Sequence, residues 1–72
     1  SKDYKTILQQ IVQQAEGEVL EYVIVDESGP DHLKSFTAEA RLNSNVIGRG
    51  TGVSKREAEQ SAAAEALKLF GE

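Results

Sequence analysis

Apolar residues recur at helical spacing in the first stretch of the chain. Tyr4, Ile7, Leu8, Ile11, Val12 and Ala15 fall on one face of a helix, and Thr6, Gln9, Gln10 and Gln13 fall on the other. The pattern predicts a helix from Asp3, a capping residue, to about Glu16, with Gly17 as its stop. The pattern then changes period. Val19 to Val25 is rich in β-branched and aromatic residues, and Asp26 to His32 is a turn cluster centred on Gly29-Pro30. From Ser35 to Leu42 the residues alternate, with Phe36, Ala38, Ala40 and Leu42 on one side and Thr37, Glu39 and Arg41 on the other. Asn43-Ser44-Asn45 reads as a short hairpin connection, and Val46 to Val53 as a third strand carrying Gly48, Gly50 and Gly52.

A second helix is predicted from Ser54 to Phe70, with Gly71 placed to end it. It is rich in alanine, and small residues let a helix lie close to a sheet. Leu67, Leu69 and Phe70 are expected to fill its far end. Two successive hairpins make the sheet an antiparallel meander, whose apolar face needs cover that both helices can supply. The expected fold is α+β, in the order α-β-β-β-α, with two helices packed on one face of a three-stranded antiparallel sheet. At 72 residues the chain is read as one small domain, 1–72, and as a piece of a longer protein, since it opens on Ser1-Lys2 without a methionine.

Composition narrows the chemistry. The absence of cysteine excludes disulfides and thiolate metal sites, and fits a reducing compartment. No apolar run reaches the length of a membrane span, so no membrane partner is expected. The net charge of −4 argues, as a total, against a nucleic-acid partner. The distribution says otherwise. Between Ala40 and Arg56 there is no acid but four cations, Arg41, Arg49, Lys55 and Arg56, which could form a basic end on an acidic domain.

The start of the second helix breaks a local rule. Ser54 and Glu57 have capping-box spacing, which puts Lys55 and Arg56 in the first turn. The helix dipole is positive there, and each cation costs about 0.3–1 kcal/mol. Two misplaced cations beside free N–H groups make an anion site, with phosphate as the fitting anion. The plainer alternative is a pair of exposed cations tolerated at small cost. The amide face of the first helix has a similar pair of readings: hydrogen-bonding surface, or ordinary solvated face.

An enzyme is not expected from these residues. There is no cysteine nucleophile, the single histidine, His32, sits in a turn, and no His/carboxylate cluster has metal-ligand spacing, so neither catalytic nor metal residues are assigned. The Gly48-x-Gly50-x-Gly52 run is a weak nucleotide motif. Its glycines lie within a strand, where they permit close backbone approach.

With these elements in place, the chain resembles the double-stranded-RNA-binding domains. The likeness covers nearly its whole length. Its most specific part runs from Gly50-Thr51-Gly52 through Ser54-Lys55-Arg56 to Ala62-Ala63, matching Gly-x-Gly-x-Ser-Lys-Lys-x-Ala-x-x-x-Ala-Ala with Arg56 for the second lysine. Within that family it is most similar to the C-terminal domain of bacterial ribonuclease III. The opening Asp3-Tyr4-Lys5-Thr6-Ile7-Leu8-Gln9, the hairpin Gly29-Pro30-Asp31-His32 and Glu57-Ala58-Glu59-Gln60 carry that likeness. One departure from the wider family is Glu59, where many members have a third cation; it should weaken phosphate attraction.

The resemblance implies a double-stranded RNA partner, bound by shape and 2′-hydroxyls with little sequence preference, as is known for this class. It implies three contact regions: Thr6, Gln9, Gln10 and Gln13 on the first helix; Gly29, Pro30 and His32 in the hairpin; Ser54, Lys55 and Arg56 at the second helix. It also implies no cofactor for this domain, with Mg2+ expected only in a separate catalytic domain of a ribonuclease III parent acting in RNA processing. The catalytic signature Asn-Glu-Arg-Leu-Glu-Phe-Leu-Gly-Asp is absent here, so this piece should not cleave RNA alone. A cytoplasmic location, a monomeric fragment and a homodimeric parent follow from the same likeness. The rival reading is a protein-docking or dimerisation module of the same fold that has lost RNA binding.

Overall fold

The computed structural model describes residues 2–71. Helix α1 spans Tyr4–Val12, followed by strands β1 (Leu20–Ser28), β2 (Ser35–Leu42) and β3 (Asn45–Gly52). Helix α2 spans Lys55–Leu67 and tightens into a 3-10 turn over Lys68–Phe70. The sheet is antiparallel in the order β1-β2-β3, and both helices cover one face of it. This is the α-β-β-β-α arrangement expected from the sequence.

The register explains how α2 is seated. Ala40 pairs with Gly48, Ala38 with Gly50 and Phe36 with Gly52, which puts all three glycines on the helix side of β3. A Cβ on Gly52 would come within 2.6 Å of the Ala58 nitrogen, and one on Gly48 within 2.7 Å of the Ala66 nitrogen. The helix answers with Ala58, Ala62 and Ala66, each fully buried. Backbone therefore rests on backbone, and the core is built of small residues with Leu8, Val12 and Leu67 as its larger members. Alanine serves twice, as the best helix former and as the side chain thin enough for this contact.

Three boundaries differ from the sequence reading. First, α1 stops at Val12, with Gln13 as its C-cap. The chain then descends through single turns, Gln14 N–H to the Ile11 carbonyl and Ala15 N–H to the Val12 carbonyl, so Ala15 is exposed and not on the apolar face. Second, β1 continues to Ser28 because a bulge at Val25 lets Asp26, Glu27 and Ser28 pair with Thr37, Phe36 and Ser35. Third, Leu69 and Phe70 do not fill the far end. They are 68% and 42% exposed, because the change to a 3-10 turn swings them off the buried stripe that ends at Leu67. Gly71 does end that turn, at φ 79°.

The β2–β3 hairpin is a two-residue turn with Asn43 at φ 51° and Ser44 at φ 72°, and Asn45 already belongs to β3. Asn43 also fastens the α1–β1 connection. Its side-chain oxygen accepts from Val19 N–H at 2.9 Å, its backbone N–H donates to the Val19 carbonyl, and its amide nitrogen donates to Glu18. No helix among the described residues is long and apolar enough to cross a membrane.

Candidate nucleic-acid interface

Thr6, Gln9, Gln10 and Gln13 stand exposed along the outer side of α1. They line an open groove of about 520 Å³ whose other walls include Lys5, Tyr22, Arg56 and Gln60. The structure thus brings the amide row of α1 together with one of the two cations of α2. Amides in a row both donate and accept, which suits hydroxyls and base edges.

At the start of α2, Ser54 is the N-cap and its Oγ accepts from Glu57 N–H at 3.1 Å. The return bond of the box is displaced by one residue: the Glu57 carboxylate accepts from Val53 N–H at 3.2 Å. Lys55 and Arg56 occupy the first two helical positions, both exposed. Neither forms an ion pair among the described residues. They face different neighbours. Arg56 adds to the lowering of the Asp3 carboxyl at the α1 end. Lys55 adds to that of Glu27 at the hairpin end, after the hydrogen bond and charge of Lys34.

The other two expected cations lie elsewhere. Arg41 and Arg49 are on the uncovered face of the sheet, both held by Glu39, at 2.7 Å and 3.3 Å. Strand alternation puts residues 39, 41 and 49 on the side opposite the helices, so the basic end contracts to Lys55 and Arg56.

The β1–β2 hairpin presents Gly29, Pro30 and His32, all exposed. Gly29 has φ 89°, and a Cβ there would come within 2.5 Å of the Leu33 carbonyl oxygen. The Pro30 carbonyl accepts from Leu33 N–H at 2.9 Å, closing the turn. Lys34 braces its base through Glu27 at 2.6 Å, a contact that spacing alone does not announce. This hairpin is a separate projection and contributes nothing to the groove.

Sequence reasoning also missed what joins the two helices. Gln60 of α2 reaches the first turn of α1: its oxygen accepts from Tyr4 N–H at 2.8 Å and Lys5 N–H at 3.4 Å, and its nitrogen donates to Asp3 Oδ1 at 2.9 Å. Asp3 Oδ1 also caps Thr6 N–H at 3.2 Å. Led by the Gln60 hydrogen bond, these contacts pull the Asp3 carboxyl down to about 2. Beside them Lys5 pairs with Glu59 and lies over the Tyr22 ring. Burial, with Glu59 and Asp3 nearby, pushes the Tyr22 hydroxyl up to about 12.

Two helices on one face of a three-stranded meander, with an amide-lined helix and a cationic helix start on the same side, define a small nucleic-acid-binding fold. Residues 4–69 match the double-stranded RNA binding motif, and the chain belongs to that family. It is 59% identical over 61 residues to Ribonuclease 3 of Natranaerobius thermophilus, which covers 85% of this chain and 26% of that protein. It is 58% identical over 66 residues to Ribonuclease 3 of Pelotomaculum thermopropionicum, covering 92% and 27%. The chain therefore spans about a quarter of the length of these relatives. Among solved structures, Dicer from Pichia stipitis matches with a TM-score of 0.74 at 35% identity, over 92% of this chain and 32% of that one. The structure of both dsRBDs of DRB4 matches with a TM-score of 0.68 at 33% identity, over 93% and 43%.

Proposed function

We propose that this domain holds double-stranded RNA at three points. The amide row of α1 enters one minor groove, the Gly29-Pro30-His32 tip enters the next, and Lys55 and Arg56 straddle the phosphates between them. The observation that carries this reading is the pair of cations at the start of α2, without ion-pair partners among the described residues, one of them lining the amide groove. Ser54 takes the N–H of Glu57, while those of Lys55 and Arg56 have no acceptor among the described residues. Free donors, the dipole and two full charges together make this helix start attractive to phosphates. Phosphate contacts of this kind carry no sequence information, and amides reading 2′-hydroxyls select RNA over DNA by shape.

The longer protein is proposed to be a ribonuclease III. This chain would be its substrate-holding part, with no cofactor of its own and no cleavage alone. Mg2+ chemistry, homodimerisation and a place in cytoplasmic RNA processing would belong to the remainder.

The test is a titration of this chain with an RNA duplex of roughly 20 base pairs and the same-sequence DNA duplex, at low and high salt. Tighter RNA binding that weakens as salt rises is expected. The double variant Lys55→Glu, Arg56→Glu should abolish it while the domain stays folded. Equal binding to both duplexes would overturn the reading, as would full binding by the folded double variant.

A further inference from the structure

We infer that Gln60 is a positioning residue for RNA binding: by capping α1 from α2, it sets where the amide row stands relative to Lys55 and Arg56. This rests on the RNA-binding reading above.

A helix of nine residues is too short to hold itself. Its first three N–H groups need partners from outside the helix ladder. Asp3 supplies one, for Thr6. Gln60 supplies the other two, for Tyr4 and Lys5, and at the same time donates to Asp3. The first turn of α1 is therefore closed by a side chain of the neighbouring helix, 56 residues away along the chain. Gln60 sits only four residues beyond Arg56, about one turn of α2, so the cap and the cations share one rigid element. Along α1, Leu8 and Val12, flanked by Tyr4, Ile7 and Ile11, set the depth of packing and the buried side, yet apolar contact is non-directional and does not by itself lock the helix's rotation. Three directional hydrogen bonds at the N-terminus fix that rotation, and with it the outward direction of Thr6, Gln9 and Gln13.

Both cations and amides must meet one duplex at once. If loss of the cap leaves α1 correctly turned about a tenth of the time, the apparent Kd rises about tenfold with no contact to RNA removed.

The polarity of the Asp3–Gln60 bond permits a decisive exchange. In Gln60→Glu, two carboxylates face each other. Adding Asp3→Asn to Gln60→Glu reverses the polarity of the bond. The amide introduced at position 3 then donates to the carboxylate introduced at position 60. Because one Asp3 oxygen both receives the Gln60 amide and caps Thr6 N–H, the turned asparagine gives up the Thr6 cap, while the carboxylate still accepts from Tyr4 and Lys5. The net charge of this pair equals that of the parent chain, so long-range attraction to RNA is unchanged.

The experiment titrates the same RNA duplex with the unaltered chain, Gln60→Ala, Gln60→Glu and the Asp3→Asn/Gln60→Glu pair, over a salt series. Circular dichroism and thermal melting establish that each is folded at the titration temperature. Binding by the unaltered chain tests the RNA reading itself, independently of the variants. Gln60→Ala and Gln60→Glu should each bind about tenfold more weakly, with the salt slope retained because Lys55 and Arg56 are intact. The exchanged pair should regain about threefold of that loss, the remainder being the missing Thr6 cap. Two results overturn the inference: Gln60→Ala binding as well as the unaltered chain, or the folded exchanged pair remaining as weak as Gln60→Glu, which would make Gln60 itself a contact to RNA.

Discussion

Lys5 Nζ lies 2.5 Å from a carboxylate oxygen of Glu59, and the same ammonium sits 4.8 Å from the centre of the Tyr22 ring. Glu59 occupies the position where the family resemblance leads one to expect a further cation. It is paired with Lys5, so that removing it would leave one uncompensated cation near RNA, and the pair helps to bind α1 to α2. Replacing Glu59 by Ala is expected to cost about 0.5–1 kcal/mol, since both partners are partly exposed. It should also tighten RNA binding by about twofold at low salt, a unit of charge at about 10 Å in water, and the gain should vanish at high salt. Urea melts and titrations at two salt concentrations check both.

The glycine row of β3 predicts a sharp contrast. A Cβ on Gly50 would come within 2.5 Å of the Ser61 carbonyl carbon, which cannot move without the helix. Gly50→Ala should therefore cost about 3 kcal/mol, the upper end of overpacking. Gly17, at φ 85° with nothing within 4 Å of an added Cβ, suffers only the strain of a left-handed backbone. Gly17→Ala should cost about 1 kcal/mol. Urea midpoints compared at unchanged slope measure the difference.

Acid should loosen the α1 end of the domain. The folded state holds the Asp3 carboxyl near 2 instead of 3.8, first through the Gln60 amide and then through Thr6. A lowered carboxyl contributes stability that is complete above its unfolded value and drains away as the pH falls through the folded one. The melting temperature should thus decline between pH 3.8 and about 2. Asp3→Asn should flatten that decline. Glu27, lowered by Lys34, acts in the same direction and contributes to the slope that remains.

The β2–β3 turn offers a stabilising change. Ser44 is held at φ 72°, a conformation that two-residue hairpins fill best with glycine after asparagine. Ser44→Gly should raise stability by about 0.5–1 kcal/mol. Asn43→Gly should not, because Asn43 also holds Val19 and Glu18. Thermal melts of the two variants decide this.

Most of the architecture is legible in the sequence because period and punctuation agree. The alternation from Ser35 to Leu42 bounds β2, and Ser54 with Glu57 marks the start of α2. The two cations are visible as residues at odds with the helix dipole, whereas the amide row reads as an ordinary solvated face until the family resemblance singles it out. The end of α1 is hidden because Gln13 and Gln14 carry no stop signal, and the chain leaves the helix through single turns at Gln14 and Ala15. The extension of β1 is hidden because Asp26, Glu27 and Ser28 look like turn residues until a bulge re-pairs them. The Gln60 cap has no local signature, since a glutamine within a helix shows nothing of a bond to backbone 56 residues earlier.

The bare inner face of β3 has a consequence for how this domain tolerates change. Where a helix rests on side chains, each substitution beneath it tilts the helix a little. Here the strand backbone is itself the datum surface, and no rotamer lies between it and α2. Repacking around Leu8, Val12 or Leu67 alters how firmly the domain holds together but not the height at which Lys55 stands above the sheet. The chain can thus drift widely in stability while the spacing it offers to a nucleic-acid backbone stays constant.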